Sequence, residues 1–541
     1  MSSRALTGRR SGRLPGGRGP AAPAAATLSA LPSAPAQAPA PADPAPAAAA
    51  AGWLASRLDG GLIVGQFGPS YGASIDAGRS LQAVSGHADD VAAVTAAVTS
   101  GIGSYISGEA FGDAGSTYAG ATAKAAAYAS AVQADPRAFG GVDLIARLEA
   151  QVDPSGRIFD TSTYGDFANG FGQAFALEGL SAVNSAKEEV VQAYLLAQQC
   201  DAGYFTESLP ARDAATATCD ATGGKPSLDA TSLALKALLP EATDAGVLKA
   251  LVDGATWLVG QQAADGSFGA GSAQGANANS TALAADVLGT LSQASPTASS
   301  LLAPARRAAT WLRAHQLATG ACAPVAAKDL GAVAYNDADR TSALAAGITD
   351  ETATTFDNVA VQVVRGLLWA PVDPGPTNVL FTAEYVRAGR TQQVGVTGAT
   401  PGAPVCARLG NQRVVRWADV EGEALLPVSV PARTGKSTVV VTDAAGRVDT
   451  ATINALGAAK LKVRVPATAA AGDRLVVRVT GLAPGEKVRA ILGKQKRPAQ
   501  ANGAGKATVR LTVGPKRGTK TLRAVGEFAN RKGAASFRVT R

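Results

Sequence analysis

Five acidic or amide side chains recur at one place in the pattern of this chain. Each stands second in a helix-like run: Asp76 in "IDAGRSLQAV", Asn169 in "ANGFGQAFAL", Asp229 in "LDATSLALKAL", Asn279 in "ANSTALAADVL" and Asp357 in "FDNVAVQVVRGL". Side-chain oxygens at a helix start accept hydrogen bonds from unpaired N–H groups, for about 1 kcal/mol each, and lie at the positive end of the helix dipole. Capping is the first reading of all five. If the runs are adjacent and parallel, the same oxygens gather at one end as a polar rim for a ligand. Three of them are carboxylic acids, and a pair on separate helices is what acid–base cleavage of a glycan needs. No Trp or Tyr cluster flanks them for sugar stacking.

The remaining chemistry-bearing residues are few. The loop "GAVAYNDADRTSALAAGITDETATTFD" (331–357) carries Tyr335, Asn336, Asp337, Asp339 and Arg340, the most polar stretch ahead of one of those runs. Tyr335 and Asp337 are expected to face a ligand there, with the loop either a lid or a solvated insertion. It lacks the glycine and terminal glutamate of a calcium-binding EF-hand loop. Two histidines, His87 and His315, leave little material for a metal site, and no metal or cofactor is expected. Cys200 and Cys219 flank "CDAGYFTESLPARDAATATC", and an oxidised pair there would contribute roughly 3 kcal/mol in the chain-entropy model. Cys322 and Cys406 fall in different expected domains, where a clamp between them and two free thiols stay open as alternatives.

Holding the polar residues in register is the task of a repeat. "WLVGQQAADGSFG" (257–269) has relatives in "YLLAQQCDAGYF" from Tyr194, "WLRAHQLATGAC" from Trp311, "WLASRLDGGLI" from Trp53 and "LIARLEAQVDPSGRIF" from Leu144. Each ends a short amphipathic helix, then runs through Gln, Arg or His into a Gly-containing turn. The second-position runs follow, joined by "YAGATAKAAAYA" from Tyr118, and "DDVAAVTAAVTSGI" from Asp89 supplies the remaining partner. Six helix pairs at a period near fifty mean units whose apolar faces are covered only by neighbours. The second runs are Ala, Gly and Leu on nearly all sides, while the first set carries charge on one face. That contrast puts the second set inside and predicts six inner helices ringed by six outer ones.

These repeats resemble the prenyltransferase and squalene-oxidase repeats of the terpenoid cyclase toroid family, over about 50–371. "WLVGQQAADGSFG" is similar to that family's glutamine–tryptophan motif, with Gln261 or Gln262 in the Gln place and Phe268 in the aromatic place. The resemblance implies an all-α six-pair (α/α) toroid and offers two enzymatic alternatives. A cyclase of the protonating class uses an Asp-x-Asp-Asp motif; the nearest string is "HADD" (87–90), which lacks the first Asp. A prenyltransferase needs zinc on Asp, Cys and His; Cys200 and Asp201 are adjacent, but neither His is suitably placed. Because toroids of this kind also resemble cobalamin carriers, a carrier-like small-ligand binder is a further alternative.

After "WAPVDPGPTN" the period changes to two. "AGRTQQVGVTGATPGAPVCARLG" from Ala388 matches "AGDRLVVRVTGLAPGEKVRAILG" from Ala471, which predicts two all-β Ig-like sandwiches at 374–455 and 456–541. Charge separates them. From Leu456 onward 20 Lys and Arg stand against 3 Asp and Glu, whereas 51–455 holds 25 basic and 38 acidic residues, so the overall +8 conceals two opposed halves. A basic terminal module suits an anionic cell-wall polymer or membrane surface. Nucleic acid is disfavoured, since no aromatic platform accompanies "GKQKRP" or "PKRGTK". Residues 1–49 combine a basic start, a weak apolar middle and a Pro/Ala-rich linker, read as a secretion signal with small-x-small cleavage near Ala38. The expectation is an extracellular or cell-surface-associated binding protein, with an unknown small ligand at the toroid mouth.

Overall fold

Glycine turns fold the chain back on itself at regular intervals. In the computed structural model, which describes residues 42–269, 275–320, 322 and 324–541, Gly266 has φ +92° and Gly331 φ +96°. A Cβ on Gly266 would lie 2.4 Å from the Arg307 carbonyl oxygen, and one on Gly331 2.1 Å from that of Ala49. Positive φ and backbone contact together admit only glycine. Gly61, Gly156 and Gly203 stand the same way over Ala93, Val190 and Asp253.

Each turn thus lies on the next helix of a flanking set, and the helices can be numbered in chain order. They are α1 (Ala45–Ala55), α2 (Tyr71–Gln82), α3 (Ala88–Ile106), α4 (Ala119–Ala131), α5 (Leu144–Ala150), α6 (Gly170–Ser181) and α7 (Glu188–Ala197). After the short α8 (Cys219–Thr222) come α9 (Leu228–Leu238), α10 (Ala245–Gln261), α11 (Ala278–Ala294), α12 (Leu302–His315), α13 (Asp337–Ala346) and α14 (Asp350–Leu367). Helices α2, α4, α6, α9, α11 and α14 pack on one another in that order, and α14 packs back on α2. Close approach is built in: a Cβ on Gly172 of α6 would meet Gly120 Cα of α4 at 2.9 Å. Flanking helices cover the outside, α3 on α2 and α4, α10 on α9, α12 on α11 and α14, and α1 on α14 and α2.

Glutamine amides fasten the flanking set. Gln199 Nε2 donates to Gly203 O (2.9 Å) and Ala250 O (2.9 Å), and Gln262 Nε2 to Gly266 O (3.0 Å) and Pro304 O (2.9 Å). Gln316 Nε2 donates to Gly331 O (3.1 Å) and Pro46 O (2.8 Å), so the last turn is tied to the first helix. Of the two glutamines open from the sequence, Gln262 makes these bonds, while Gln261 Nε2 reaches only Trp257 O in its own helix. Two residues after each turn glycine an apolar side chain is buried: Ile63, Ile158, Phe205, Phe268 and Val333.

Three expectations need correction. The Pro/Ala stretch does fold where it is described: α1 begins at Ala45, and Ala47, Ala50 and Ala51 are buried. Alanine is the best helix former, and proline is tolerated in the first turn, so low complexity did not preclude helix. Helix α14 begins at Asp350, which places Asp357 in its middle rather than at its start. The polar segment 331–357 is not a loop throughout, because α13 lies within it, capped by the Asn336 side chain, which accepts from Ala338 N at 2.8 Å and Asp339 N at 3.0 Å. The expected signal and its cleavage near Ala38 lie outside the described residues.

From Asn378 onward the chain is all β, in two modules with equivalent topology. In the first, Ala424–Ser429, Thr391–Thr397 and Asn378–Leu380 form one sheet, and Val386–Arg387, Val448–Leu456, Gly435–Thr442, Pro404–Leu409 and Gln412–Trp417 the other. In the second, Lys506–Thr512, Arg474–Thr480 and Lys462–Arg464 pair as the first sheet does, while Arg531–Thr540, Gly518–Val525, Lys487–Leu492 and Gln495–Gln500 form the other, completed by two short parallel strands on Arg531–Thr540. Each module has its own apolar core. Both disulfides form: Cys200–Cys219, with Cα atoms 4.9 Å apart, staples the α7–α9 loop, and Cys322–Cys406, at 5.6 Å, joins the helical region to the first β module. Arg313 Nη1 reinforces that junction through Pro371 O (3.0 Å) and Pro401 O (2.9 Å).

Candidate ligand cavity

A cavity of about 450 Å³ lies among α2, α4, α6, α9, α11 and α14, and every one of the six contributes side chains to it. Lining residues recur at intervals of three or four, which keeps them on one helix face. On α9 they are Asp229, Leu233 and Lys236; on α6 Phe171, Phe175 and Glu178; on α11 Leu283 and Asp286. Helix α2 adds Asp76 and Arg79, α14 Gln362 and Arg365, and α4 Lys124. Gly120, Phe171 and Asp229 stand in the first turns of α4, α6 and α9, where the exposed Phe167 also lines the cavity and marks a mouth, and Arg79, Glu178, Lys236, Asp286 and Arg365 form a second layer further along the helices.

Charges in that layer are paired across helices. Arg79 Nη2 is 2.5 Å from Glu178 Oε1, Lys236 Nζ 2.5 Å from Asp286 Oδ2, and Arg365 Nε 2.9 Å from the same oxygen. Nearer the mouth, Lys124 Nζ bonds Asp76 Oδ2 at 2.6 Å. Burial alone would push the Asp286 carboxyl up, but Lys236 and Arg365 overcome it and hold it down at about 2. Burial lowers the Lys236 ammonium in spite of Asp286. Asp160 and Asp229, by the mouth, have carboxyls raised by burial. Arg79 Nη1, Gln362 Oε1 and Asp229 Oδ1 are buried without a hydrogen-bond partner among the described residues.

The expected site residues divide. Asn169 caps α6, accepting from Gly172 N at 3.0 Å, and lines the cavity. Asp229 lines it too, but Ser227 is the cap of α9. Asp76 lies in the middle of α2 and faces the cavity through its pairing with Lys124, without capping anything. Asn279 is in the first turn of α11, capped by Asn277, and is not among the lining residues. Asp357 is buried in an ion pair with Arg57 (2.7 Å). Tyr335 and Asp337 are away from the cavity: Tyr335 O accepts from Ala278 N at 2.9 Å, and Asp337 pairs with Arg340, whose guanidinium lies 4.3 Å from the Trp417 ring of the first β module. The polar segment serves that junction because its helix α13 presents Arg340 to a flat indole face.

Sequence reading missed the buried charges. It took the inner helices as apolar on nearly all sides, whereas one stripe of each faces a polar interior. A signal was present on two helices, since Lys236 and Asp286 each stand seven residues after the second residue of the run, Asp229 and Asn279. Exposed aromatics were missed as well, of which Phe167 lines the cavity. Phe67, Phe111, Tyr164 and Phe167 are exposed on the segments leading into α2, α4 and α6, and Asp113 ties two of these segments together through Ser162 Oγ (2.6 Å) and Thr163 Oγ1 (2.8 Å).

A second surface is purely cationic. On one face of the last module Lys462, Arg464, Arg474, Arg478, Lys506 and Arg510 are all exposed, and their three strands contain no acid. Adjacent strands lie about 4.8 Å apart, so the charges form a dense array. Of the module's three acids, Glu486 is buried against Arg531 at 2.6 Å.

No family model matches the chain, and no curated protein matches it. Among solved structures, a protein from Actinoplanes is similar at 15% identity over 60% of this chain and 98% of that one, with a TM-score of 0.40. Red sea bream transglutaminase is similar at 14% identity, covering 38% of this chain and 36% of its own, with a TM-score of 0.15. The adhesin InvE of Yersinia pseudotuberculosis gives 19% identity, 30% and 59% coverage and a TM-score of 0.17. The chain spans about a third to a half of the first two structures matched. Likeness at this level carries no functional argument.

Proposed function

We propose that the chain is an extracellular or cell-surface-associated binding protein: a six-pair (α/α) toroid that holds a small ligand, followed by two Ig-like sandwiches of which the last attaches to an anionic polymer or membrane surface. The observation that carries this reading is the cavity to which all six inner helices contribute. Its volume falls in the range of small-molecule sites, and its wall combines aromatic rings with charged side chains more numerous than an apolar ligand would need. Two disulfides favour an oxidising compartment, and among the described residues no helix is long and apolar enough to cross a membrane. The exposed cationic face supports the attachment role.

The enzymatic alternatives gain no support from the same site. Carbocation chemistry needs electron-rich walls, and Arg79, Lys124, Lys236 and Arg365 would oppose a carbocation within the cavity. A zinc thiolate site would need Cys200, which is bonded to Cys219. Native mass spectrometry of the purified protein tests the binding role. A bound small molecule is expected, lost in a folded Leu233→Trp variant that fills the cavity. A native mass equal to the bare chain, unchanged by cell extract, would overturn it.

A further inference from the structure

Charges on the cavity floor do not cancel. Arg79, Lys236 and Arg365 stand against Glu178 and Asp286 alone, because Asp286 serves two cations at once. Lys124 and Asp76 neutralise each other nearer the mouth. One positive charge is left over, and Arg79 Nη1 is buried with no partner among the described residues. A buried guanidinium with an unused N–H is best completed by a carboxylate, which matches its planar fork. The lowered Lys236 ammonium points the same way, since a second carboxylate nearby would restore it.

At the mouth the sign reverses. Asp229 precedes Lys236 by seven residues on α9, a rise of about 10 Å. Its Oδ1 is buried with no hydrogen-bond partner among the described residues, and burial raises its carboxyl although Ser280 works the other way, a cost that a cation or N–H donor would relieve. Asp160 is already engaged by Ala119 N (2.6 Å) and Phe167 N (3.3 Å). Between floor and mouth the wall is Phe175, Leu233 and Leu283.

We propose that the cavity takes a small zwitterion with an aromatic or apolar body, its carboxylate on Arg79 and the neighbouring cations and its ammonium or amide N–H at Asp229. This rests on the cavity-binding reading above. With about 3 Å taken by each ionic contact, the axial rise of about 10 Å leaves on the order of 4 Å between the two charged ends of the ligand, and any sideways offset between α2 and α9 lengthens it. A free α-amino acid reaches only the lower limit of that span. A dipeptide, the C-terminal end of a longer peptide, or an amino acid with its two groups at opposite ends of a ring has the right reach.

The test is calorimetric titration of the purified full chain with 4-(aminomethyl)benzoate, its amide 4-(aminomethyl)benzamide, 4-methylbenzoate, glycyl-phenylalanine and glycyl-phenylalaninamide. Each acid is expected to bind at least tenfold more tightly than its amide. Tighter binding of the dipeptide than of the benzoate assigns a peptide end; the reverse order assigns a free acid. Arg79→Met should weaken every carboxylate at least tenfold, and Asp229→Asn should weaken only the ammonium carriers, leaving 4-methylbenzoate unchanged. Acids and amides of equal affinity on the wild-type chain overturn the proposal even if Arg79→Met does not fold, and so does a folded Arg79→Met protein with full affinity. Should no probe bind while native mass spectrometry finds a ligand without a carboxylate, the ligand class fails and the cavity reading survives. An empty protein that binds nothing sinks both.

Discussion

A lone charge on an Ala-rich helix looks, in sequence, like a solvated surface position. Lys124, Lys236 and Asp286 are such charges, yet each faces the cavity, because on helices packed on several sides the interior cavity is the place where a charge keeps both partners and room. Lys236 and Asp286 each stand seven residues after the second residue of their helix, a two-turn spacing that marks one face. His315 shows the opposite case, a titratable group without solvent. It stacks on Trp311 with ring centroids 3.6 Å apart, Nδ1 lies 2.8 Å from Trp311 O, and Nε2 is 3.3 Å from Asp337 Oδ1. Burial lowers its pKa from 6.5 to about 4, outweighing Asp337. The folded imidazole is therefore neutral where the unfolded one is protonated, so its contribution to stability is complete above about pH 6.5 and is lost as pH falls from there toward 4, by at most about 1.4 kcal/mol per unit. Chemical unfolding at pH 7.5 and 4.5 should show the wild type losing more stability on acidification than His315→Gln. An identical loss in both proteins contradicts the buried neutral imidazole.

At the scale of elements, the glutamine–glycine turns do the joining. Gln199, Gln262 and Gln316 bind a turn carbonyl and a carbonyl of the next flanking helix, and Gln316 links the last repeat to α1. Gln316→Ala leaves the Pro46 and Gly331 carbonyls without that donor in a buried setting, for which a loss of about 1–3 kcal/mol is expected. The change should also loosen α1 locally, read as faster amide exchange over 45–55 than in a matched Gln261→Ala control, whose glutamine is exposed. Uniform exchange along the chain would contradict a local tie. The repeats and the order of the helices were legible from this motif. Their registers were not in every case: aligning on an apolar–acid pair put Asp76 and Asp357 at helix starts, while the backbone begins those helices at Tyr71 and Asp350. Helix boundaries are decided by turn geometry and packing as much as by side-chain type, so pattern alone slipped by one to two turns here.

Across the whole molecule, the helical region and the first β module are joined by Cys322–Cys406, by Arg313 and by Arg340 against Trp417. Opening that bridge removes a loop constraint worth about 4–5 kcal/mol in the chain-entropy model for a separation of 84 residues. The Cys322→Ser/Cys406→Ser double variant should therefore melt earlier and become sensitive to limited proteolysis between 372 and 377. Unchanged proteolysis would mean that the side-chain contacts suffice without the disulfide.

The eighty-three-residue offset between Ala388 and Ala471 carries through to the strands, Thr391–Thr397 against Arg474–Thr480 and Gly435–Thr442 against Gly518–Val525. Helix pairing, strand alternation, the Cys200–Cys219 staple and the charge contrast between halves are local or additive properties, and reading residues in order was enough to find them. The cavity is neither local nor additive. Arg79 and Glu178 are ninety-nine residues apart in the chain, and Arg365 and Asp286 seventy-nine. Their pairing, and the positive charge they leave over, came into being only when six helices met around one space, since Coulomb energy depends on distance through the fold and on the water excluded there.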